Sequence, residues 1–146
     1  LILLCDSIED PRNLGALLRS AYCTNFLGVI IPKKHSAALE GAAFKASSGL
    51  AEYIDIVETV SSSEAIMYAK KAGYNIYMAA LGGKDLREME FKKPLCLVIG
   101  NEGTGISKEI LKLGEPFSIP QKRPDISYNA SVAGGITLFY ASYIIK

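Results

Sequence analysis

The chain has few of the features that mark a protein for a membrane, a metal or an oxidising compartment. No apolar run reaches the roughly 20 residues of a membrane-spanning helix, and the first residues carry no basic leader of the signal-peptide kind. Three cysteines and one histidine, widely spaced, match neither a disulfide framework nor a zinc-ligand pattern. We therefore expect a cytoplasmic protein with buried thiols, no metal and no membrane partner.

An excess of charge of one sign is also missing, since sixteen basic and fifteen acidic residues leave a formal net charge of only +1. Bulk charge therefore does not by itself point to a nucleic-acid partner. Phosphate-binding signatures are missing as well. The glycines after the apolar run at 96–100 are not followed by Gly-Lys-Ser/Thr, and they lack the G-x-G-x-x-G spacing of dinucleotide-binding folds. A nucleotide-binding enzyme of the Rossmann type is thus disfavoured.

What the chain does contain is ample apolar material for a core. Hydrophobic residues make up 49% and charged residues 21% of its 146 residues, which suits one compact domain spanning residues 1–146. No internal repeat, low-complexity tract or linker divides it. Because the sequence begins at Leu1 and enters a strand-like run at once, we expect a further segment to precede it.

Short, continuously apolar runs alternate along the chain with segments of helical periodicity. Continuous apolarity indicates strands covered on both faces, and strands that alternate with helices form parallel sheets with right-handed crossovers. We therefore predict an α/β domain with a mostly parallel sheet flanked by helices. The predicted strands lie at 1–6, 28–32, 53–57, 75–80, 96–100 and 117–120, and the predicted helices at 14–24, 37–46, 62–72, 106–113 and 129–145.

Clusters of glycine and polar residues follow four of the predicted strands. They lie at 10–15, 81–83, 100–105 and 120–129. Because sheets of this kind bind ligands beyond the carboxyl ends of their strands, we expect the four loops to meet at one rim and form the site.

The first segment with chemical potential is DSIEDPRNLGALLRSA, at residues 6–21. Asn13 is a candidate cap for a helix that begins at Leu14, and Arg19 follows six residues later. We expect both side chains, an amide and a fixed positive charge, on the same side of the rim. A capped helix with a solvated arginine would explain the same residues.

The second segment is LVIGNEGTGIS, at residues 97–107. Glycines at 100, 103 and 105 after a buried strand allow backbone to approach a ligand and to adopt positive φ, and Glu102 among them is poorly placed for a core residue. These features favour a ligand-binding loop. A glycine-rich turn that holds an exposed glutamate is the simpler alternative.

The third segment is FSIPQKRPDISYNASVAGGITLFYASYIIK, at residues 117–146. Its prolines exclude helix through the loop, and Ser127 and Asn129 stand just before a strongly apolar helix that either of them could simply cap. Gly134 and Gly135 inside this helix each cost roughly 1 kcal/mol relative to alanine. We therefore expect another helix or backbone to pack closely against them.

Taken together, these segments resemble the three motifs of the SpoU (TrmH-like) family of RNA 2′-O-ribose methyltransferases, part of the SPOUT superfamily. The matching elements are N-x-G-x-x-x-R at 13–19, I-G-N-E-G-x-G at 99–105, and I-P followed by S-x-N-x-S-V-A between 119 and 133. The stretch GAAFKASSGLAEY, at 41–53, is similar to the bacterial branch that methylates guanosine in large-subunit ribosomal RNA. The resemblance covers nearly the whole chain.

The resemblance implies a fold, a cofactor and a reaction. Members of the family have a C-terminal trefoil knot that holds S-adenosyl-L-methionine (AdoMet), whose methyl group passes to a ribose 2′-hydroxyl of RNA. For this chain it implies ribosomal RNA as the substrate ahead of transfer RNA, a homodimer, and an RNA-selecting domain that precedes these residues. The positions that match cofactor-binding residues are Leu81, Gly82, Gly100, Ile119, Ser127 and Tyr128.

The resemblance also assigns catalytic positions. They are Arg19, Asn13, Glu102, Ser127 and Asn129. In the family the arginine activates the hydroxyl. Because the pKa of an arginine lies above about 12, we expect Arg19 instead to stabilise the developing alkoxide or bind the adjoining phosphate, with Glu102 orienting it.

The third motif departs from the family pattern at three positions. Gln121, Arg123 and Tyr128 stand where the family usually has methionine, glycine and leucine. Tyr128 could still offer backbone to the adenine, and its ring could cover the purine face. These departures leave open a non-catalytic RNA-binding or ribosome-assembly module on the same fold.

The last predicted helix carries more apolar surface than one flank of a small sheet covers. We expect this helix and the first to join two copies of the chain, with Gly134 and Gly135 admitting the partner's helix and Arg19 near the subunit boundary. The apolar residues concerned are Val132, Ile136, Phe139, Tyr140 and Tyr143.

Overall fold

A computed structural model describes residues 1–123 and 125–145, which form six strands and five α-helices. Two short 3₁₀ helices, Leu50–Tyr53 and Leu86–Glu88, lie between them. The strands are β1 Ile2–Cys5, β2 Gly28–Pro32, β3 Asp55–Thr59, β4 Asn75–Asp85, β5 Leu95–Ile99 and β6 Glu115–Ser118. The helices are α1 Pro11–Cys23, α2 Gly41–Ala46, α3 Ser62–Lys71, α4 Lys108–Leu111 and α5 Ala130–Ile144.

All six strands join one sheet in the order β3-β2-β1-β5-β4-β6, and every pairing is parallel. The predicted parallel α/β class is therefore confirmed. β5 is buried at each of its five residues, as expected of a strand covered on both faces. The parallel register of β1 with β5 brings the loops that follow these two strands to the same rim. The trefoil knot implied by the resemblance stays a prediction.

Successive residues of the central strands feed two separate cores. Leu97 packs in the cluster that holds Leu17 of α1 and Leu138 of α5, whereas its neighbour Val98 packs with Ile66 of α3. Alternation of side chains across a strand explains this division. α1, α2 and α5 consequently cover one face of the sheet, and α3 covers the other.

The first helix begins earlier than the sequence suggested. α1 starts at Pro11, and the carboxylate of Asp10 caps it by accepting a hydrogen bond from the N–H of Arg12 at 2.8 Å. The prediction that Asn13 caps a helix beginning at Leu14 is wrong. Proline at the first helical position and aspartate before it together form a stronger start signal than Asn13.

The glycines at 82 and 83 do not form a loop after the fourth strand, contrary to prediction. β4 continues to Asp85, with a register shift against β6 between Ala79 and Lys84. Gly82 has φ +80°, and Gly83 lies so close to the backbone of Phe117 that a Cβ there would approach its nitrogen at 2.5 Å. The two glycines therefore make a bulge, which lets the strand resume pairing.

Other boundaries moved by a few residues for local reasons. The helix predicted at 106–113 begins only at Lys108, because the Ser107 side chain caps its N-terminus by accepting from the N–H of Ile110. The helix predicted at 37–46 begins only after Glu40, whose backbone is extended. The 3₁₀ helix at 50–53 moves the start of β3 to Asp55. Within the described ranges, no helix has the length and apolar character needed to span a bilayer.

Candidate active site

A cavity of about 310 Å³ opens at the carboxyl end of β5, beside residues 79–81 in the middle of β4 and the loop that follows β6. Three of the four loops predicted to meet at this rim contribute lining residues, whereas none of residues 10–15 is among the described lining residues. Its walls combine glycines and other small residues with several polar side chains. The lining residues are Ala79, Ala80, Leu81, Ile99, Gly100, Asn101, Glu102, Gly103, Thr104, Gly105, Ile106, Leu111, Ile119, Gln121, Ser127, Tyr128, Ala130 and Ala133.

The loop after β5 folds back tightly on itself. The N–H of Gly105 donates to the carbonyl of Asn101 at 3.0 Å, and Gly105 has φ +68°. A Cβ on Gly100 would approach the backbone of Gly105 and Ile106 at 2.8 Å. Gly100 is therefore required for closure of the loop itself, and only Gly105 of the three glycines needs positive φ.

Glu102 joins this loop to the one that follows β1. Its carboxylate accepts hydrogen bonds from the backbone N–H of Asp10 at 3.2 Å and of Glu9 at 3.5 Å, and from the amide of Asn13 at 3.1 Å. Burial alone would raise the pKa of Glu102, but backbone N–H groups and the Asn13 amide together hold it below its ordinary value. The rim therefore carries an ionised carboxylate at neutral pH.

Arg19 lies apart from Glu102 within one chain. Its guanidinium donates to the hydroxyl of Ser48 at 3.0 Å, and its side chain is exposed. The expected pairing of Glu102 with Arg19 is not observed, because Glu102 binds Asn13 instead. Six helical residues rotate a side chain by about 240°, so Asn13 and Arg19 point in different directions from α1.

The loop of the third motif borders the cavity, and Asn129 at its end caps α5. The side-chain oxygen of Asn129 accepts from the N–H of Ser131 at 2.9 Å. Gln121 donates to the carbonyl of Ile126 at 2.8 Å, which closes the loop where the family pattern has methionine. Tyr128 lies at the wall with 42% of its surface exposed. Two of the three departures from the family pattern, Gln121 and Tyr128, thus lie in the cavity wall.

A model of the SpoU rRNA Methylase family matches residues 1–139. The chain belongs to this family. A Staphylococcus saprophyticus protein assigned to the TrmH family of tRNA/rRNA methyltransferases is 37% identical over 140 residues, which cover 94% of this chain and 56% of that protein. The chain thus spans little more than half of such a relative.

Two solved structures share the fold and hold AdoMet. The SpoU methyltransferase AviRb of Streptomyces viridochromogenes, in complex with AdoMet, matches with a TM-score of 0.89 at 27% identity, over 97% of this chain and 59% of that chain. The AdoMet-bound rRNA methyltransferase of Sinorhizobium meliloti matches with a TM-score of 0.89 at 28% identity, over 96% and 54% respectively.

The structure brings most of the family positions to one place. Six of them line the cavity: Leu81, Gly100, Glu102, Ile119, Ser127 and Tyr128. Asn13 adjoins it through Glu102, and Asn129 caps the helix whose first residue, Ala130, is at the wall. Gly82 and Arg19 are not among the lining residues that the described ranges provide.

Sequence reasoning overlooked Asn101, which lies at the wall and organises the loop after β5. Its side-chain oxygen accepts from the N–H groups of Gly103 at 2.8 Å and Thr104 at 3.0 Å. Asparagine two residues before a glycine is a known turn signal and could have identified this role. Among the described residues, no group of three or more His, Cys, Asp or Glu side chains could hold a metal ion.

Proposed function

We propose that the chain is the catalytic domain of an AdoMet-dependent enzyme that methylates a ribose 2′-hydroxyl in RNA. The observation that carries this proposal is the cavity at the strand ends, with an ionised carboxylate held beside it by Asn13. Membership of the SpoU family supports RNA methyl transfer in general. The choice of the 2′-hydroxyl is our inference.

The cavity has the features that AdoMet requires. Its volume of about 310 Å³ lies at the lower end of the range of roughly 300–1,000 Å³ found for ligand pockets. Backbone at Leu81, Gly100 and Ile119 is available for the polar edge of adenine, and the Tyr128 ring is placed to cover a purine face. The carboxylate of Glu102 is complementary in charge to a sulfonium. Bound AdoMet would supply the electrophilic methyl group.

The chain's own residues would prepare the ribose. A guanidinium, which is always charged in proteins, makes Arg19 unsuitable as the base, so the hydroxyl proton would leave through another group or through water. We assign Arg19 the stabilisation of the developing alkoxide or of a neighbouring phosphate. In a pH-rate profile, Arg19→Lys should then lower the rate without moving the profile to lower pH. Full activity shifted to lower pH would contradict this role.

We also propose that two copies pair through α1 and α5. Five large apolar side chains of α5 are exposed in one chain: Val132, Ile136, Phe139, Tyr143 and Ile144. Tyr140, which the sequence placed with them, is partly buried against the chain's own core. Gly134, however, does not serve a partner as predicted, since it packs against Leu17 of α1 in the same chain. Pairing on this face would bring Arg19 of one copy toward the cavity of the other, which would explain its distance from Glu102.

Dimer formation is testable by light scattering on a charged variant. Phe139→Glu with Tyr143→Glu should halve the mass and abolish activity, because both side chains are largely exposed on the proposed interface, where their tilted rings are in contact with centroids 4.7 Å apart. Tyr68→Glu is the matched control, since Tyr68 is 53% exposed on α3, across the sheet. A monomeric wild type with full activity would contradict the proposed dimer.

Ribosomal RNA is the substrate we propose ahead of transfer RNA. The resemblance at 41–53 supports it; these residues form α2 and the 3₁₀ helix beside α1. We expect the chain alone to methylate RNA poorly, because a net charge of +1 provides little phosphate attraction.

The reaction itself is tested in two steps. Calorimetry should detect AdoMet binding that a chelator leaves unchanged, because no metal enters the proposal. Nucleoside mass spectrometry of ribosomal and transfer RNA, incubated with AdoMet and the chain within its full-length protein, should then find a new 2′-O-methyl nucleoside. Methylation on a base would overturn the choice of the 2′-hydroxyl. Absence of AdoMet binding would favour the non-catalytic RNA-binding module.

A further inference from the structure

Asn101 uses both ends of its amide to join two loops. The side-chain oxygen accepts from the N–H groups of Gly103 and Thr104, at 2.8 and 3.0 Å, and shapes the loop after β5. The nitrogen donates to the carbonyl of Ser7 at 2.8 Å and to the carboxylate of Glu9 at 3.2 Å, both in the loop after β1. Ninety-four residues of sequence separate Asn101 from Ser7.

The next residue, Glu102, binds the same loop after β1. Its carboxylate accepts from the backbone N–H groups of Glu9 and Asp10 and from Asn13. Two neighbouring residues of the β5 loop thus bind the β1 loop in opposite ways: Asn101 donates hydrogen bonds to it, and Glu102 accepts hydrogen bonds from it. Both also line the cavity.

We propose that Asn101 is a positioning residue for AdoMet binding, which sets the cavity wall and the carboxylate of Glu102 by fixing the β1 loop against the β5 loop. This inference rests on the proposed function. Only an amide satisfies the place: the Ser7 and Glu9 oxygens require a donor, while the Gly103 and Thr104 N–H groups require an acceptor.

Asn101→Asp separates the two roles while keeping the shape of the side chain. Its carboxylate can still accept from Gly103 and Thr104, so the turn within the β5 loop should persist. Toward the β1 loop, however, the Ser7 carbonyl loses its donor and the Glu9 carboxylate meets a like charge, so these groups should separate from residue 101. Asn101→Asp combined with Glu9→Gln restores a donor opposite the new carboxylate.

Calorimetric titration of AdoMet provides the first readout. Asn101→Asp should weaken binding at pH 8 by tenfold or more, and adding Glu9→Gln should recover at least threefold of that loss. Glu9→Gln alone should cost less than threefold, because glutamine still offers an oxygen to Asn101. Binding by Asn101→Asp within twofold of wild type, or a double variant no better than the single one, would overturn the proposal.

Amide hydrogen exchange provides a second readout that needs no cofactor. In Asn101→Asp, the N–H groups of Glu9 and Asp10 should lose protection and those of Gly103 and Thr104 should keep it; Glu9→Gln should restore the former. Unchanged exchange at Glu9 and Asp10 would contradict the positioning role. If wild type shows the expected exchange but binds no AdoMet, the proposed function fails while the joining of the two loops by Asn101 stands.

Discussion

The loops after β5 and β6 border the same cavity but are held by different interactions. The β5 loop is tied to the β1 loop through Asn101, Glu102 and Asn13. The hydrogen bonds found for the described part of the β6 loop stay local: Gln121 binds Ile126, and Asn129 binds the start of its own helix. The wall formed by the β5 loop is therefore fixed by a distant part of the chain. The wall formed by the β6 loop depends on the position of α5 against the rest of the chain.

The largest effect should come from closing space in the fixed wall. Gly100→Ala should destabilise the chain by about 1–3 kcal/mol and weaken AdoMet binding at least tenfold, because its Cβ would meet backbone atoms of Gly105 and Ile106 that cannot turn aside. Gly103→Ala is the matched control, since its nearest neighbour is the side-chain oxygen of Asn101 at 3.5 Å. Denaturant unfolding and calorimetry measure both quantities. Equal behaviour of the two variants would break the comparison.

A second pair of glycines, Gly134 and Gly135, tests how closely α5 packs against α1. Gly135→Ala should stabilise the chain by about 0.5–1 kcal/mol through helix propensity, because its new Cβ would lie 3.7 Å from Ser20. Gly134→Ala should be less stable than Gly135→Ala by about 1–3 kcal/mol, because its Cβ would collide with buried Leu17. Thermal and denaturant unfolding give the difference. If both variants gain the same stability, close packing of α5 on α1 does not depend on Gly134.

A smaller effect, dependent on pH, is expected at Glu102. Glu102→Gln should cost about 1 kcal/mol at pH 7, because an amide nitrogen replaces one accepting oxygen of a partly exposed group. The folded-state pKa of Glu102 is lowered, so its contribution is present above the unfolded pKa and is lost as pH falls through the folded one. The free energies of unfolding of wild type and variant should converge as the pH falls below the folded-state pKa of Glu102. A difference that stays constant from pH 7 down to about pH 2 would contradict the ionic origin.

The smallest effect should come from the β6 loop. Gln121→Ala removes one exposed hydrogen bond to Ile126 and should change stability by about 0.5 kcal/mol or less. Amide exchange at Gly103 and Thr104 should remain as in wild type, because the two walls are held separately. Faster exchange there would show that the walls are coupled and would remove the basis of the comparison.

Much of the fold could be predicted because its signals are local. Apolar runs of strand length alternate with helical periodicity, so element order and the parallel sheet were accessible, and β1 to β5 fall close to their predicted starts. The start of α1 was missed although Asp10 and Pro11 announce it locally. The bulge at Gly82 and Gly83 was missed because a glycine pair signals a turn and an interrupted strand equally well.

The candidate site divides along the same line. The loops that meet at the rim follow from the order of strands and helices, which the sequence by itself determined. The partners within the rim do not: Glu102 binds Asn13, 89 residues away, Gly100 makes room for the backbone of its own loop, and Gly134 makes room for Leu17 of its own chain. Only tertiary structure decided these contacts, because they depend on the adjacency of β1 and β5 and on the rotation of each side chain about α1, and local periodicity encodes neither.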